Sequence, residues 1–196
     1  MITDNEPDDA EVIDRALRDP SAFSALFDRH ASALHRYVAR RLGDSLADDV
    51  VAETFMAAFR RLKRYDTTHR DARPWLYGIA ANLIGKHRRT EVRAYLALSR
   101  IGTDEVAESH TDRVEARVSA SSAHRELAGA LAVLSPEDRE VLLMIAWADL
   151  SYEEVSRALG IPIGTVRSRL HRARRKTREA LGGSDPSAVE EEAARG

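Results

Sequence analysis

The residues best suited to catalytic or metal chemistry are the seven histidines, at positions 30, 35, 69, 87, 110, 124 and 171. None has a metal-ligand spacing with a partnering acid, and neither a glycine-rich phosphate loop nor a nucleophile elbow is present. There is no cysteine, which excludes thiolate catalysis, disulfides and Cys-based zinc or iron–sulfur sites. An enzyme is therefore not expected, and no cofactor is implied. The residue types favour polyanion recognition instead. Arginine outnumbers lysine 27 to 3, and a guanidinium grips phosphates and guanine edges with two parallel hydrogen bonds.

The formal net charge of −2 conceals this tendency. Residues 60–93 carry +7 and residues 160–181 carry +6, against −5 over 1–20 and −4 over each of 44–59 and 135–159. Two basic islands separated by acidic or neutral sequence can each neutralise phosphates, gaining from counterion release. A charge run by itself is often only a solvated helix face, so the elements that carry the islands decide.

The second island lies on a helical pattern with its start and stop signals intact. Ser151-Tyr152-Glu153-Glu154 is a capping box, Gly160 can end the helix it opens, and Pro162 precedes a new helix over about 163–181. Val155, Leu159, Ile161, Val166 and Leu170 would form the inner seam of a helix-turn-helix, whose second helix enters the major groove. At about 100° per residue, the side opposite Val166 and Leu170 holds Gly164, Ser168, His171, Arg172 and Arg175, with Arg167 and Arg174 on a flank. Gly164 permits close approach to the DNA, and Ser168, His171 and Arg172 are placed to reach base edges.

The first island follows three further helical patterns. Phe23, Leu26, Phe27, His30, Leu34, Tyr37, Val38 and Leu42 recur at three- and four-residue spacing up to Gly43. Ser45 to Asp48 reads as a cap opening a helix that buries Val51, Phe55, Phe59 and Leu62. After a loop over 65–73, Pro74 starts a helix carrying Trp75, Ile79 and Leu83, able to continue into the basic stretch 86–93. Further on, Leu127, Leu131 and Leu134 mark another helix, and Ser135-Pro136-Glu137-Asp138 starts the next. The expected fold is all-α: two small helical domains, over 21–96 and 123–182, the second a helix-turn-helix. An acidic N-terminal tail over 1–20, a flexible linker over 97–122 and a disordered tail over 183–196 complete the chain. A length of 196 residues suits this plan. No run of 18 apolar residues exists for membrane insertion, and the acidic first 20 residues are unlike a secretory signal. A cytoplasmic location is expected.

Three stretches in order carry a family resemblance: Ala47 to Phe59, the Arg73-Pro74-Trp75-Leu76…Asn82-Leu83-Ile84 run leading into Lys86-His87-Arg88-Arg89, and Ile161 to Arg174. Together they resemble bacterial RNA polymerase sigma factors of the extracytoplasmic-function (ECF) class. The resemblance implies promoter-specific transcription initiation, with core RNA polymerase and promoter DNA as partners and an anti-sigma factor as the usual control. It implies that Asp48, Asp49, Glu53 and Phe55 dock on the polymerase, and that Asn82, Lys86, Arg88 and Arg89 act at the −10 element beside a specificity loop over 65–73. It assigns the helix bearing Gly164, Thr165, Arg167, Ser168, His171, Arg172 and Arg175 to the −35 element. Two positions depart from the family pattern: Ala52 stands where many relatives have Gln, and Ser156 where helix-turn-helix proteins usually have Ala. A stand-alone regulator using residues 151–181 would need neither the acidic helix nor the Pro-Trp…Asn run.

Overall fold

In the computed structural model, which describes residues 7–100 and 124–181, every regular element is helical. The order is α1 (Asp9–Ala16), a 3-10 turn (Pro20–Phe23), α2 (Ser24–Leu42), α3 (Asp44–Phe59), a second 3-10 turn (Leu62–Arg64), α4 (Arg73–Lys86), α5 (Arg88–Arg100), α6 (124–133), α7 (Pro136–Ala146), α8 (Tyr152–Leu159) and α9 (Ile163–Ala180). The chain forms two compact units. Among the described residues, one joins 7–88 with 143–166; the other joins 89–100 and 124–142 with 167–181.

In the first unit, α2 and α3 pack on each other across a joint of one residue, Gly43. Its φ of +85° lies in the region that favours glycine, and it lets α3 begin at Asp44 with no side-chain cap. Ser45, expected as the cap, is already inside the helix. The facing residues Leu34, Tyr37, Val38, Ala47, Val50, Val51, Phe55 and Ala58 are buried. Phe59 was expected in this core but is 41% exposed, and Phe27 is 46% exposed. Two helices in contact leave these rings at the edge of their seam.

Helix α4 is central: nine of its residues are buried, from Pro74 through Ile84, so it is apolar all round rather than on one stripe. The Tyr77 ring meets Tyr37 edge-on at 5.0 Å. Buried Arg41 donates to the Tyr37 hydroxyl at 2.8 Å. α4 does not run on through the basic stretch. It ends at His87, and α5 restarts at Arg88, reaching across residues 97–100 that the sequence suggested as linker. Residues 101–122 of that expected linker, and the expected tail over 183–196, lie outside the described residues.

The expected acidic tail also needs correction, because residues 9–16 form a helix. Asp8 and Glu11 close a capping box at 2.9 and 3.1 Å. Val12, Ile13 and Ala16 are buried in a cluster with Leu26, Leu62 and Ala72. The abundance of acids in this stretch masks a short apolar stripe.

Helix α8 has the expected capping box, Ser151 with Glu154 at 2.7 and 3.2 Å, and Gly160 closes it in the left-handed conformation. Ser156, the unusual residue of the turn, donates from its hydroxyl to the Ile161 carbonyl at 2.6 Å and so ties the turn together. α8 packs on α4. Gly78 makes this possible, since a Cβ there would overlap the carbonyl oxygen of Ala158.

The second unit is organised around a buried cation. Arg139 donates to Glu91 at 3.0 Å and to the carbonyls of Leu131, Leu134 and Ala132 at 2.8, 2.9 and 3.3 Å, closing the end of α6. Its guanidinium also lies 5.6 Å from the centre of the Tyr95 ring. The expected start of α7 holds, with the Asp138 amide donating to the Ser135 hydroxyl at 3.2 Å. In α9, Leu170 and Ala173 are buried.

Candidate nucleic-acid interface

The outward face of α9 is the one the helical spacing predicts. Val166, Leu170 and Ala173 point inward, while Gly164, Arg167, Ser168, His171, Arg172, Arg174 and Arg175 are exposed and Thr165 is half-buried. The cations are not equivalent. Arg172 is held by a two-pronged pair to buried Asp138, Nη2 to Oδ1 at 3.0 Å and Nε to Oδ2 at 3.4 Å. Arg175 leans toward Glu179 one turn on, at 3.7 Å. Arg172 therefore has part of its donor fork already committed within the protein.

A second concave feature lies in the first unit. A cleft of about 400 Å³ is lined by Tyr65, Trp75, Ile79 and Asn82, with Arg61, Arg64 and Arg157 among the cations at its walls. The Tyr65 and Trp75 rings are in contact at an interplanar angle of 55°, their centres 4.9 Å apart. The Tyr65 hydroxyl donates to the His69 carbonyl at 2.6 Å, and burial pushes its pKa well above the usual tyrosine value, so it stays a neutral donor. Asn82 is exposed at the cleft, and its amide nitrogen donates to Gly78 O one turn back at 2.9 Å. That bond fixes the side chain's orientation. Aromatic faces beside an amide and arginines are the components that hold an unstacked base and its phosphates. Arg61 and Arg64 were legible only as part of a charge run; the 3-10 turn over 62–64 brings them to the cleft.

The other expected site residues fall into two groups. Asp48, Asp49 and Glu53 are exposed along α3, Asp48 within 3.2 Å of the His35 ring nitrogen. Glu53 accepts from Lys86 at 3.0 Å, which joins a residue expected at the polymerase to one expected at DNA. Arg88 and Arg89 are exposed at the start of α5. Phe55, expected on the docking surface, is 5% exposed, packed against Phe27 at 4.9 Å and Phe23 at 6.3 Å. It is a core residue, because its position on α3 faces α2. The exposed apolar side chains beside it are Phe27, Met56 and Phe59, which sequence periodicity assigned to the interior or left unassigned.

The family profile described as Sigma-70 region 2 matches residues 26–94, and the one described as Sigma-70, region 4 matches 124–177. SigL of Mycobacterium tuberculosis, an ECF RNA polymerase sigma factor, is 36% identical over 177 residues, covering 88% of this chain and 98% of SigL. The chain belongs to the ECF sigma factors of the sigma-70 family. CarQ, an RNA polymerase sigma factor of Myxococcus xanthus, is 35% identical over 162 residues, 82% of this chain and 90% of CarQ. The solved structure of CnrH in complex with the cytosolic domain of CnrY superposes with a TM-score of 0.61 at 26% identity, covering 90% of this chain and 99% of that one. As a sigma factor, the chain acts in promoter-directed transcription initiation, as a regulatory transcription factor rather than an enzyme. Region 2 spans α2 to the middle of α5, and region 4 spans α6 to α9. Helix α1 lies ahead of both. Among the described residues, no helix is long and apolar enough to cross a membrane.

Proposed function

We propose that this sigma factor binds core RNA polymerase, reads the −35 element with α9 and holds the non-paired −10 strand in the cleft beside α4. Residues 21–96 and 123–182 are the two functional domains in this reading. The observation that carries it is the cleft: a Tyr65–Trp75 ring pair beside Asn82, walled by arginines, suits an extruded base rather than duplex DNA. Lys86, Arg88 and Arg89 follow within one turn of α4 or at the start of α5, where they would hold the backbone of the melted segment. On α9, Gly164, Thr165, Arg167, Ser168, His171 and Arg175 meet the major groove, with Arg172 at the same face.

The polymerase contact is assigned to Asp48, Asp49 and Glu53, whose carboxylates suit basic side chains, together with the exposed apolar group Phe27, Met56 and Phe59 in place of Phe55. CnrH is seen with the cytosolic domain of CnrY, and control of this chain by an anti-sigma protein in the cytoplasm is part of the proposal. Addition of the protein to core polymerase on a −35/−10 template tests the whole reading. Promoter-specific transcripts with permanganate-reactive thymines near −10 are expected. Specific duplex binding without transcripts or unpaired thymines would make it a stand-alone regulator. Co-purification from native cells, probed for polymerase subunits and a small membrane-associated inhibitor, tests the partners.

A further inference from the structure

Helix α1 stands ahead of the segment matched to region 2, yet it is bound closely to the loop that borders the cleft. The loop's own hydrogen bonds are local. The Tyr65 hydroxyl reaches the His69 carbonyl, Asp66 accepts from Thr68 N at 3.0 Å, and Asp71 accepts from Arg73 N at 2.8 Å. Among the described residues, the hydrogen bonds and ion pairs that tie residues 67–72 to a distant part of the chain go to α1. The Asp9 amide donates to Arg70 O at 3.1 Å, the Ala72 amide donates to Asp9 Oδ2 at 2.9 Å, and Arg70 Nε lies 3.6 Å from Asp8.

The Asp9 carboxylate is 8% exposed, and a buried charge is costly unless it is paired and hydrogen-bonded. Here it also accepts from Arg29 Nη1 at 3.0 Å and lies 2.8 Å from His30 Nε2, so α2 holds it from one side while the loop is held from the other. Anchoring α1 alone would not need this charge, because Val12, Ile13 and Ala16 already bury an apolar stripe against Leu26 and Leu62. What the carboxylate adds is a fixed distance between α2 and the backbone at residue 72, one residue before α4 begins. Tyr65 and Trp75, the aromatic wall of the cleft, pack against the same cluster.

We propose that α1 is part of the apparatus that grips the −10 strand, with Asp9 as a positioning residue that sets the 65–73 loop against the cleft. This rests on the reading of the cleft as the −10 site.

The test uses the full chain assembled with core polymerase and a short labelled single strand of the −10 sequence, with Asp9→Ala, Asp9→Asn and Asn82→Ala variants. A lost hydrogen bond to a charged group shifts an equilibrium on the order of tenfold. Asp9→Ala should speed amide exchange over 66–72 and lower strand affinity by about tenfold, while polymerase affinity and exchange in α3 and α9 stay as in the wild type. Asp9→Asn keeps one acceptor for the Ala72 amide and should give a smaller loss, with reduced preference between matched and mismatched −10 strands. Should Asp9→Ala fail to fold, the Asn variant carries the test. Faster loop exchange with unchanged strand affinity and base preference would overturn the proposal, leaving α1 as packing. Unchanged loop exchange would overturn it as well. If Asn82→Ala weakens the strand and neither Asp9 variant does, the positioning role fails and the cleft reading stands. If the wild-type complex does not hold the strand, or Asn82→Ala leaves its affinity unchanged, the cleft reading fails and takes the proposal with it.

Discussion

On α9, the two arginines that differ most are Arg167 and Arg172. Both are exposed, but Arg172 also neutralises the buried carboxylate of Asp138. Arg172→Ala strips that carboxylate of its cation, so it should lower folding stability by about 1–3 kcal/mol in addition to weakening −35 DNA. Arg167→Ala should leave the melting temperature close to the wild-type value and lower −35 affinity by about 1–3 kcal/mol. Thermal melts paired with DNA titrations separate the two effects. Asp9 offers a pH signature. Burial raises its pKa, but the His30 hydrogen bond, the Ala72 amide and Arg29 outweigh that and leave it below the ordinary carboxylate value. A lowered folded-state pKa contributes stability above the ordinary value of about 4 that is lost as pH falls through the folded value. Asp9→Asn should therefore show a shallower loss of melting temperature on acidification below about pH 4 than the wild type. The outward face of α9 was legible at this scale because the angular period of a helix is set by its backbone. That Arg172 is half committed was not, since Asp138 lies 34 positions away.

Between elements, two contacts invite tests. Arg139 is enclosed by α6 carbonyls and by Glu91, both charges being almost wholly buried. Arg139→Met takes the guanidinium from Glu91 and from the carbonyls of Leu131, Ala132 and Leu134, and should destabilise by about 3–5 kcal/mol in denaturant melts. The double variant with Glu91→Leu should recover only the share due to the carboxylate, because the carbonyls of Leu131, Ala132 and Leu134 still lack their donor. Gly78→Ala sets two effects against each other. Alanine favours a helix interior by about 1 kcal/mol, but its Cβ would collide with the Ala158 carbonyl. Amide exchange should slow within α4 and speed within α8; slower exchange in both would mean the close approach is dispensable. Most elements could be read from the sequence, since capping boxes and apolar periodicity are local signals. α1 escaped because seven acids in the first 20 residues obscured its four apolar positions, although Asp8 and Glu11 already spelled a capping box. The break at His87 and the edge positions of Phe27 and Phe59 depend on which helices meet, and one-dimensional spacing does not carry that.

At the scale of the molecule, the −2 net charge is the residue of acidic segments and basic islands that nearly cancel. The N-terminal acidic segment carries a folded helix as well as charge, so deleting each acidic end asks a different question. Deleting residues 184–196 removes net negative charge, and should raise nonspecific DNA affinity at low salt, an effect fading as salt rises. Deleting residues 1–18 also removes α1 and uncovers Leu26, Leu62 and Ala72. That truncation should lose stability, read as a lower melting temperature, before any charge effect on DNA can be measured.

The joint at Gly43 has no slack. α2 and α3 are set by one residue at a positive φ, so lengthening or shortening this connection would re-aim Asp48, Asp49 and Glu53 as a block. The 65–72 connection, by contrast, is fixed at one end only: Asp9 holds Arg70 O and the Ala72 amide, while the turn at Asp66–Thr68 closes on itself. A library meant to alter which DNA this protein prefers can therefore vary residues 66–68 while keeping Arg70 to Ala72 in register with Asp9, whereas Gly43, with φ +85° and ψ 163°, sits where only glycine is at ease and stays fixed.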